Sequence, residues 1–375
     1  MKYVDEYREQ TKAAALSEKI REITPLDSHY KIMEICGGHT HTIYKYGIES
    51  YLPDNIHLVH GPGCPVCVIP LGRVDDAIAI SLQDVIFTCF GDMIRVPGNK
   101  RSLGDAKAQG ADVRIVYSPL DALHIAEQNP SRQVVFLAIG FETTAPATAI
   151  ALKRAKAMRI SNFSVFCNHV TIIPPLVAIL DSENVEIDAF IGPGHVAAVT
   201  GSRIFAQITE TYATPVVVSG FEPLDVLQSV YMLVKQFHEG VRKVENQYSR
   251  VVSYGGNPVA LRVMEETMEV RPYFEWRGLG TISNSGLKIN SEYADFDAEN
   301  RFSIPGTEVK EPRACQCGQV LQGKIKPYEC KVFGKACTPE KPIGTCMVSA
   351  EGACAAYYNY GRFMEINAKL VKSTK

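Results

Sequence analysis

The sequence predicts an α/β fold: two duplicated small parallel-sheet units that face a cleft, followed by a loop-rich, cysteine-rich C-terminal domain. Three observations carry this reading. Short β-branched apolar runs alternate with helical stretches from residue 31 onward, the mark of parallel strands covered on both faces. The runs fall into two sets of four, related by a constant offset of 104 residues. Six of the 11 cysteines lie between Cys315 and Cys354, in a stretch with too little apolar periodicity to bury much core by itself.

Residues 1–24 read as an amphipathic helix, with Val4, Tyr7, Leu16, Ile20 and Ile23 near helical spacing. Strand runs follow at 31–35, 56–59, 85–89 and 113–117, then at 134–139, 163–167, 187–191 and 216–220. Pro119-Leu120-Asp121 recurs as Pro223-Leu224-Asp225. At the same offset Cys36 answers to Gly140, Cys64 to Asn168 and Gly91 to His195. One offset at all these places argues for a duplicated unit. It sets the expected boundaries: 1–118 for the first unit with its N-terminal helix, 119–245 for the second, and 246–375 for the C-terminal domain.

In open parallel sheets, ligands bind beyond the carboxyl ends of the strands. Nearly every unusual loop here follows a strand: 36–41, 61–67, Gly91-Asp92, 140–144, Asn168-His169 and 192–195. If the units face each other, these loops line one cleft. Past residue 246 the pattern loosens into one helix over 257–270, then aromatic and charged turns and a Gly/Pro-punctuated stretch. A bound metal would supply order there.

At 375 residues and 46% hydrophobic composition the chain can bury sizeable cores. A net charge of −2 leaves no basic excess for nucleic acid. The opening MKYVDEYREQ lacks an apolar h-region, and no run approaches the ~20 apolar residues of a membrane span. The expected location is the cytoplasm, where clustered cysteines read as metal or redox chemistry rather than a disulfide scaffold.

The late cysteines are Cys315, Cys317, Cys330, Cys337, Cys346 and Cys354. Four thiolates suffice for a [4Fe–4S] cluster or for zinc. The gaps are irregular, unlike paired zinc knuckles, and separate loops can reach the corners of a cuboidal cluster. Iron–sulfur, zinc, and free or disulfide thiols all stay open on spacing alone. Cys64-Pro65-Val66-Cys67 is short enough to close a disulfide or supply half a metal site, and such a motif supports thiol exchange; a strand-to-helix turn with two incidental thiols is the plainer reading. Cys36 ends a strand and opens a Gly-Gly turn, with His39 and His41 close behind. That grouping favours a soft-metal site over simple core packing. Cys89 and Cys167 sit inside apolar strands and read as core. The loop 140–144 fits an anion site at a helix N-terminus or a plain helix cap, and His195 has the same ambiguity.

Taken together, CGGHTH at 36–41, GPGCPVC at 61–67, GFETT at 140–144, GPGHV at 192–196, GFEPLD at 220–225, KVENQY at 243–248, EWRGLG at 275–280 and the CGQVL…KP…C run at 317–330 resemble the HypD family, in order and over nearly the whole chain. The resemblance implies a maturation scaffold on which the Fe(CN)₂CO group of [NiFe]-hydrogenase is assembled. It implies that the small partner HypC contributes a cysteine, that Cys36 completes the grip on iron, and that HypE delivers cyanide. It assigns Cys64 and Cys67 to iron binding or thiol redox. It maps the ligands of a [4Fe–4S] cluster to Cys317, Cys330, Cys337 and Cys354, leaving Cys315 and Cys346 as extras. His39 and His41 are then expected to support the iron thiolate, with the cluster feeding electrons to Cys64/Cys67. The competing readings are a cluster-dependent thiol–disulfide oxidoreductase, which needs no Cys36, and a zinc-stabilised module that binds a small anion.

Overall fold

Each of the eight apolar runs forms a strand. The computed structural model describes residues 5–183, 186–306, 309 and 312–361. The strands are β1 (Tyr30–Glu34), β2 (Ile56–His60), β3 (Val85–Cys89), β4 (Asp112–Ile115), β5 (Gln133–Gly140), β6 (Phe163–His169), β7 (Ala189–Pro193) and β8 (Val216–Ser219). A short β9 (Val244–Asn246) lies within KVENQY. They build two all-parallel sheets, ordered β2-β1-β7-β8-β9 and β4-β3-β5-β6. Every residue of β3 is buried, as is all of β5 except Gln133. Helices cover both faces, which explains why the runs are continuously apolar rather than alternating.

The pairing does not follow the linear division at 118/119. The second sheet is one continuous segment, β3 to β6. It is inserted between the two parts of the first sheet, so β1 pairs with β7 (Met33 opposite Phe190) across the insertion. The 104-residue repeat survives in another form. β3 and β7 begin 104 residues apart, as do β4 and β8. Moving each of β2-β1-β7-β8 to its counterpart in the other repeat gives β6-β5-β3-β4, the second sheet read from its far edge. Each sheet therefore combines the front of one repeat with the back of the other. The repeated Pro-Leu-Asp opens a helix in both places, with Pro119 and Pro223 in the first turn, where the missing N–H costs nothing.

Helix α1 (Gln10–Ile23) packs on helix Pro223–His238 through Ala13, Ser17 and Ile20, one face at helical spacing. Tyr7 lies before it in a short 3₁₀ turn, and Val4 lies outside the described residues. Residues 268–289, expected as loop-rich tail, form an antiparallel hairpin, β10 (Met268–Trp276) and β11 (Gly280–Ile289). It completes the core of the second sheet, where Met268, Leu287 and Ile289 join Phe163 and Val165. Pro272 and a register shift between Arg271 and Tyr273 break the alternation that would have marked it as a strand. Cys89 and Cys167 are wholly buried core residues, as expected. No helix among the described residues is long and apolar enough to cross a membrane.

Candidate metal centre

β1 delivers Cys36 to the N-cap of helix α2 (Gly37–Tyr46). The two glycines that follow are there because other loops close down on this turn. A Cβ on Gly37 would meet Glu351 Cβ at 2.5 Å, and one on Gly38 would meet the Phe221 ring at 3.0 Å. Cys36 is buried, with Sγ 3.7 Å from Nδ1 and 3.8 Å from Nε2 of His195. His195 follows β7, the neighbour of β1, so the exchanged strand order creates this pair.

Behind the thiol lies a buried polar chain. The Glu34 carboxylate accepts the Cys36 N–H at 2.9 Å, the Thr40 hydroxyl, and His60 Nδ1–H at 2.6 Å. His60 Nε2 accepts the Tyr44 hydroxyl at 2.5 Å. Phe221 stacks between His195 and His39, with ring centroids at 5.1 and 4.9 Å. Burial raises the Cys36 thiol well above its ordinary range, and the carboxylates of Glu351 and Glu34 push the same way. Burial, with His39 nearby, lowers His195 to about 4, so it presents a neutral imidazole at neutral pH. A site that disfavours a bare thiolate through desolvation and nearby negative charge favours that thiolate once a cation sits on it.

The β2 loop closes over this turn from the other side. Gly63 sits so close that a Cβ there would lie 2.2 Å from Cys36 N. Cys64 caps the short helix α3 (Pro65–Val68) and lines a cleft of about 550 Å³. The same cleft is lined by Asp92 after β3, Gly140, Phe141, Thr143 and Thr144 after β5, His195 after β7, and Ser349 to Glu351 of the tail. The loops of both sheets do meet there. A second hollow of about 490 Å³, lined by Gly38, His41, Lys45 and Phe221, shares His195 and Glu351 with the first.

Cys67 is wholly buried, and burial, with Cys346 and Cys64 nearby, pushes its thiol well up. Cys346 is likewise wholly buried, with Cys317 and Cys354 nearby lowering its thiol, and Cys315 Sγ lies 3.0 Å from Cys317 Sγ. Cys337 Sγ accepts the Ile343 N–H at 3.3 Å, and burial, with Cys315 and Cys317 nearby, raises its pKa. Cys330 is buried after the turn Pro327–Glu329. No disulfide joins any of the eleven cysteines in this structure. Among the described residues no three His, Cys, Asp or Glu side chains converge on one ion position. The tail thiols are crowded as a group, which suits a multinuclear cluster better than a single tetrahedral ion.

A family model described as "HypD: Hydrogenase formation hypA family" matches residues 11–361. The chain belongs to the HypD family. It is 50% identical over 373 residues to hydrogenase maturation factor HypD2 of Bradyrhizobium diazoefficiens, covering 97% of this chain and 98% of the relative. It is 51% identical to HypD of Rhizobium leguminosarum, covering 97% of each chain. It is 49% identical to HypD of Escherichia coli, covering 96% of this chain and 98% of that one.

In this HypD-family chain the residues singled out from the sequence separate into two places. Cys36, Cys64 and Cys67 gather at the β1 and β2 loops, and Cys317 meets Cys354 in the tail. His39 donates its Nε2–H to the Gly220 carbonyl at 3.0 Å and stacks on Phe221, the ring that also stacks on His195. His41 stands at the rim of the second hollow, edge-on to Tyr360. His195 occupies the place expected for them. Its signal was present in GPGH after an apolar run and in its correspondence with Gly91. Glu34 and Glu351 had no signal, since carboxylates flanking a strand and a loop read as surface charge.

The GFETT loop brings two buried titrating groups together. His169 donates Nδ1–H to the Gly140 carbonyl at 3.3 Å and accepts the Thr148 hydroxyl at 2.9 Å; burial lowers it to about 4. Glu142 accepts the Ile172 N–H at 3.1 Å, and burial raises it to about 7. Between pH 4 and 6.5 the unfolded chain binds more protons at His169 than the folded one, so stability from this group falls as pH drops. Between pH 4.5 and 7 the folded chain binds more at Glu142, so stability falls as pH rises. Each is worth on the order of 3 kcal/mol, and they oppose each other over the shared window. His169→Gln is expected to unmask the Glu142 slope, with stability increasing from pH 7 to 5 relative to the parent. Urea midpoints across that range check it.

Proposed function

We propose that this chain acts in hydrogenase maturation as the scaffold that holds the Fe(CN)₂CO group while it is assembled. The observation that carries the reading is the Cys36–His195 pair, buried where two hollows meet. The pair offers two donors, and the hollows leave room for diatomic ligands and for a cysteine brought by a small partner such as HypC. HypE is the expected source of cyanide. Glu34 holds the Cys36 backbone, while Phe221 holds the His195 ring; both fix the donors before iron arrives. The tail thiols would hold a [4Fe–4S] cluster, drawn from Cys317, Cys330, Cys337 and Cys354 with Cys315 and Cys346 adjacent. When bound, such a cluster supplies single electrons. Cys64 and Cys67 would switch between disulfide and dithiol beside the iron.

A second reading, a thiol–disulfide oxidoreductase, is supported by the tie between the Cys64–Cys67 helix and the tail, where the Thr345 hydroxyl donates to the Cys67 carbonyl at 2.8 Å. Mössbauer spectroscopy of iron-57-labelled protein, purified anaerobically with its small partner, separates the two. Cluster iron plus a low-spin Fe(II) component that disappears in Cys36→Ala is the expected result. Cluster iron without that component moves the weight to the oxidoreductase. Zinc without sulfide removes both.

A further inference from the structure

The tail carries a local surplus of positive charge in a chain whose net charge is −2. Between residues 312 and 341 five cations are exposed, Arg313, Lys324, Lys331, Lys335 and Lys341, against two exposed carboxylates, Glu329 and Glu340. Among the described residues none of the five is held in an ion pair; Lys326, the sixth cation, is tied to Glu49 at 2.6 Å. Three of the five stand beside thiols. Arg313 precedes Cys315 by two residues, Lys331 follows Cys330, and Lys335 precedes Cys337 on a turn closed by the Gly334 N–H on the Cys337 carbonyl at 3.0 Å. Arg313 and Lys331 come together on the wall of a hollow of about 440 Å³, lined also by buried Arg277 and by Cys315 and Cys317. Of the eleven cysteines Cys315 alone is not fully buried, so this hollow is where the tail thiols come nearest to solvent.

We propose that this basic face is the docking surface for an acidic one-electron carrier protein that reduces the tail cluster. The inference rests on the reading of the tail thiols as cluster ligands, and it adds where electrons enter and from what kind of partner. Each transfer moves one electron: the reduced carrier is oxidised by one, the cluster is reduced by one, and no bond forms or breaks. Electron transfer weakens steeply with distance, so a donor gains by docking where the thiols lie nearest the surface. Exposed cations without partners repel one another and add nothing to the fold; what they supply is complementarity. They draw a partner of opposite charge, speed its encounter and fix its orientation. The cleft at Cys36 has the opposite lining, with Asp92 and Glu351 on its wall. Those carboxylates repel the same carrier, so it is directed to the tail and kept from the proposed iron site.

The test uses the full chain, purified anaerobically with its iron and sulfide in place, and a plant-type [2Fe–2S] ferredoxin as the acidic probe. Stopped-flow absorbance follows oxidation of the reduced ferredoxin by the chain. Calorimetric titration with redox-inert, gallium-substituted ferredoxin reads docking alone. In the parent both the rate and the affinity are expected to fall about tenfold between about 20 mM and about 0.3 M salt. Arg313→Glu and Lys331→Glu are each expected to slow the transfer and weaken the docking about tenfold at low salt. Lys235→Glu makes the same charge change on the helix Pro223–His238 and is expected to stay within about twofold of the parent. Docking that is unchanged by salt and by Arg313→Glu and Lys331→Glu overturns the surface and leaves the cluster reading standing, as does an equal loss in Lys235→Glu. A parent that holds no iron and sulfide overturns both.

Discussion

Gly63→Ala is expected to unseat Cys36 and to cost about 3 kcal/mol or more of stability, at the upper end of what overpacking costs. The added methyl would lie 2.2 Å from Cys36 N and Ile35 C and 2.3 Å from the Ile35 carbonyl oxygen. All three are backbone atoms at the end of β1, so no side chain can swing aside. Either the β2 loop lifts and carries Cys64 away from Cys36, or β1 shifts and the Cys36–His195 pair opens. Both routes would empty the proposed iron site while leaving the tail thiols in place. The measurements are urea unfolding and, in parallel, site iron against cluster iron. Gly91→Ala is the internal control: it lines the same cleft, but its nearest neighbour would be Ile115 at 3.8 Å, an ordinary contact that leaves stability within about 0.5 kcal/mol.

Asp225→Asn is expected to destabilise the chain by about 3 kcal/mol and to weaken iron retention from a distance. The Asp225 side chain is fully buried and receives two bonds from Arg250, at 2.9 and 2.6 Å. It also accepts from Gln247 at 2.8 Å and from the Glu222 N–H at 3.2 Å. Removing one charge of such a pair leaves the guanidinium uncompensated, which costs more than the pair contributes. The same carboxylate packs under Gly220, where a Cβ would lie 2.2 Å from its Oδ2. It therefore sets the height of the 220–222 loop, the seat of Phe221, and through that ring the tilt of His195. A merely structural Asp225 would lower the unfolding midpoint alone. Its positioning role predicts, in addition, broadened low-spin iron signals in the fraction that stays folded.

The strands were legible because each is a continuous apolar run, a pattern that survives whatever the order of pairing. The order itself was not legible. Nothing local to Ile32 or Phe190 says that β1 will lie beside β7 instead of waiting for β3 and β4. The 104-residue offset marks equivalence, and equivalence fits strand exchange as well as two separate units. At the site, Cys36, Cys64 and Cys67 stood out because thiols next to glycines are chemically conspicuous. His39 and His41 drew attention by being adjacent in sequence, but helix α2 turns them onto Phe221 and Tyr360. His195, 159 residues from its thiol, could be placed only by the topology. The β10–β11 hairpin was hidden by Pro272 and by charged residues on its outer face.

The inserted sheet also orders events in time. Residues 85 to 169 are sequence-local and can close their own hydrogen bonds as they leave the ribosome. β1 and Cys36 emerge first yet must wait for β7, which follows the whole insertion. During synthesis the thiol therefore spends its early life without His195, in a chain whose first sheet has no centre. Iron offered to the nascent chain would meet a lone, exposed cysteine with ordinary affinity. The Cys36–His195 pair comes into being only when β7 joins β1, after the second sheet is made, so on the scaffold reading proposed above metal capture waits for the finished fold.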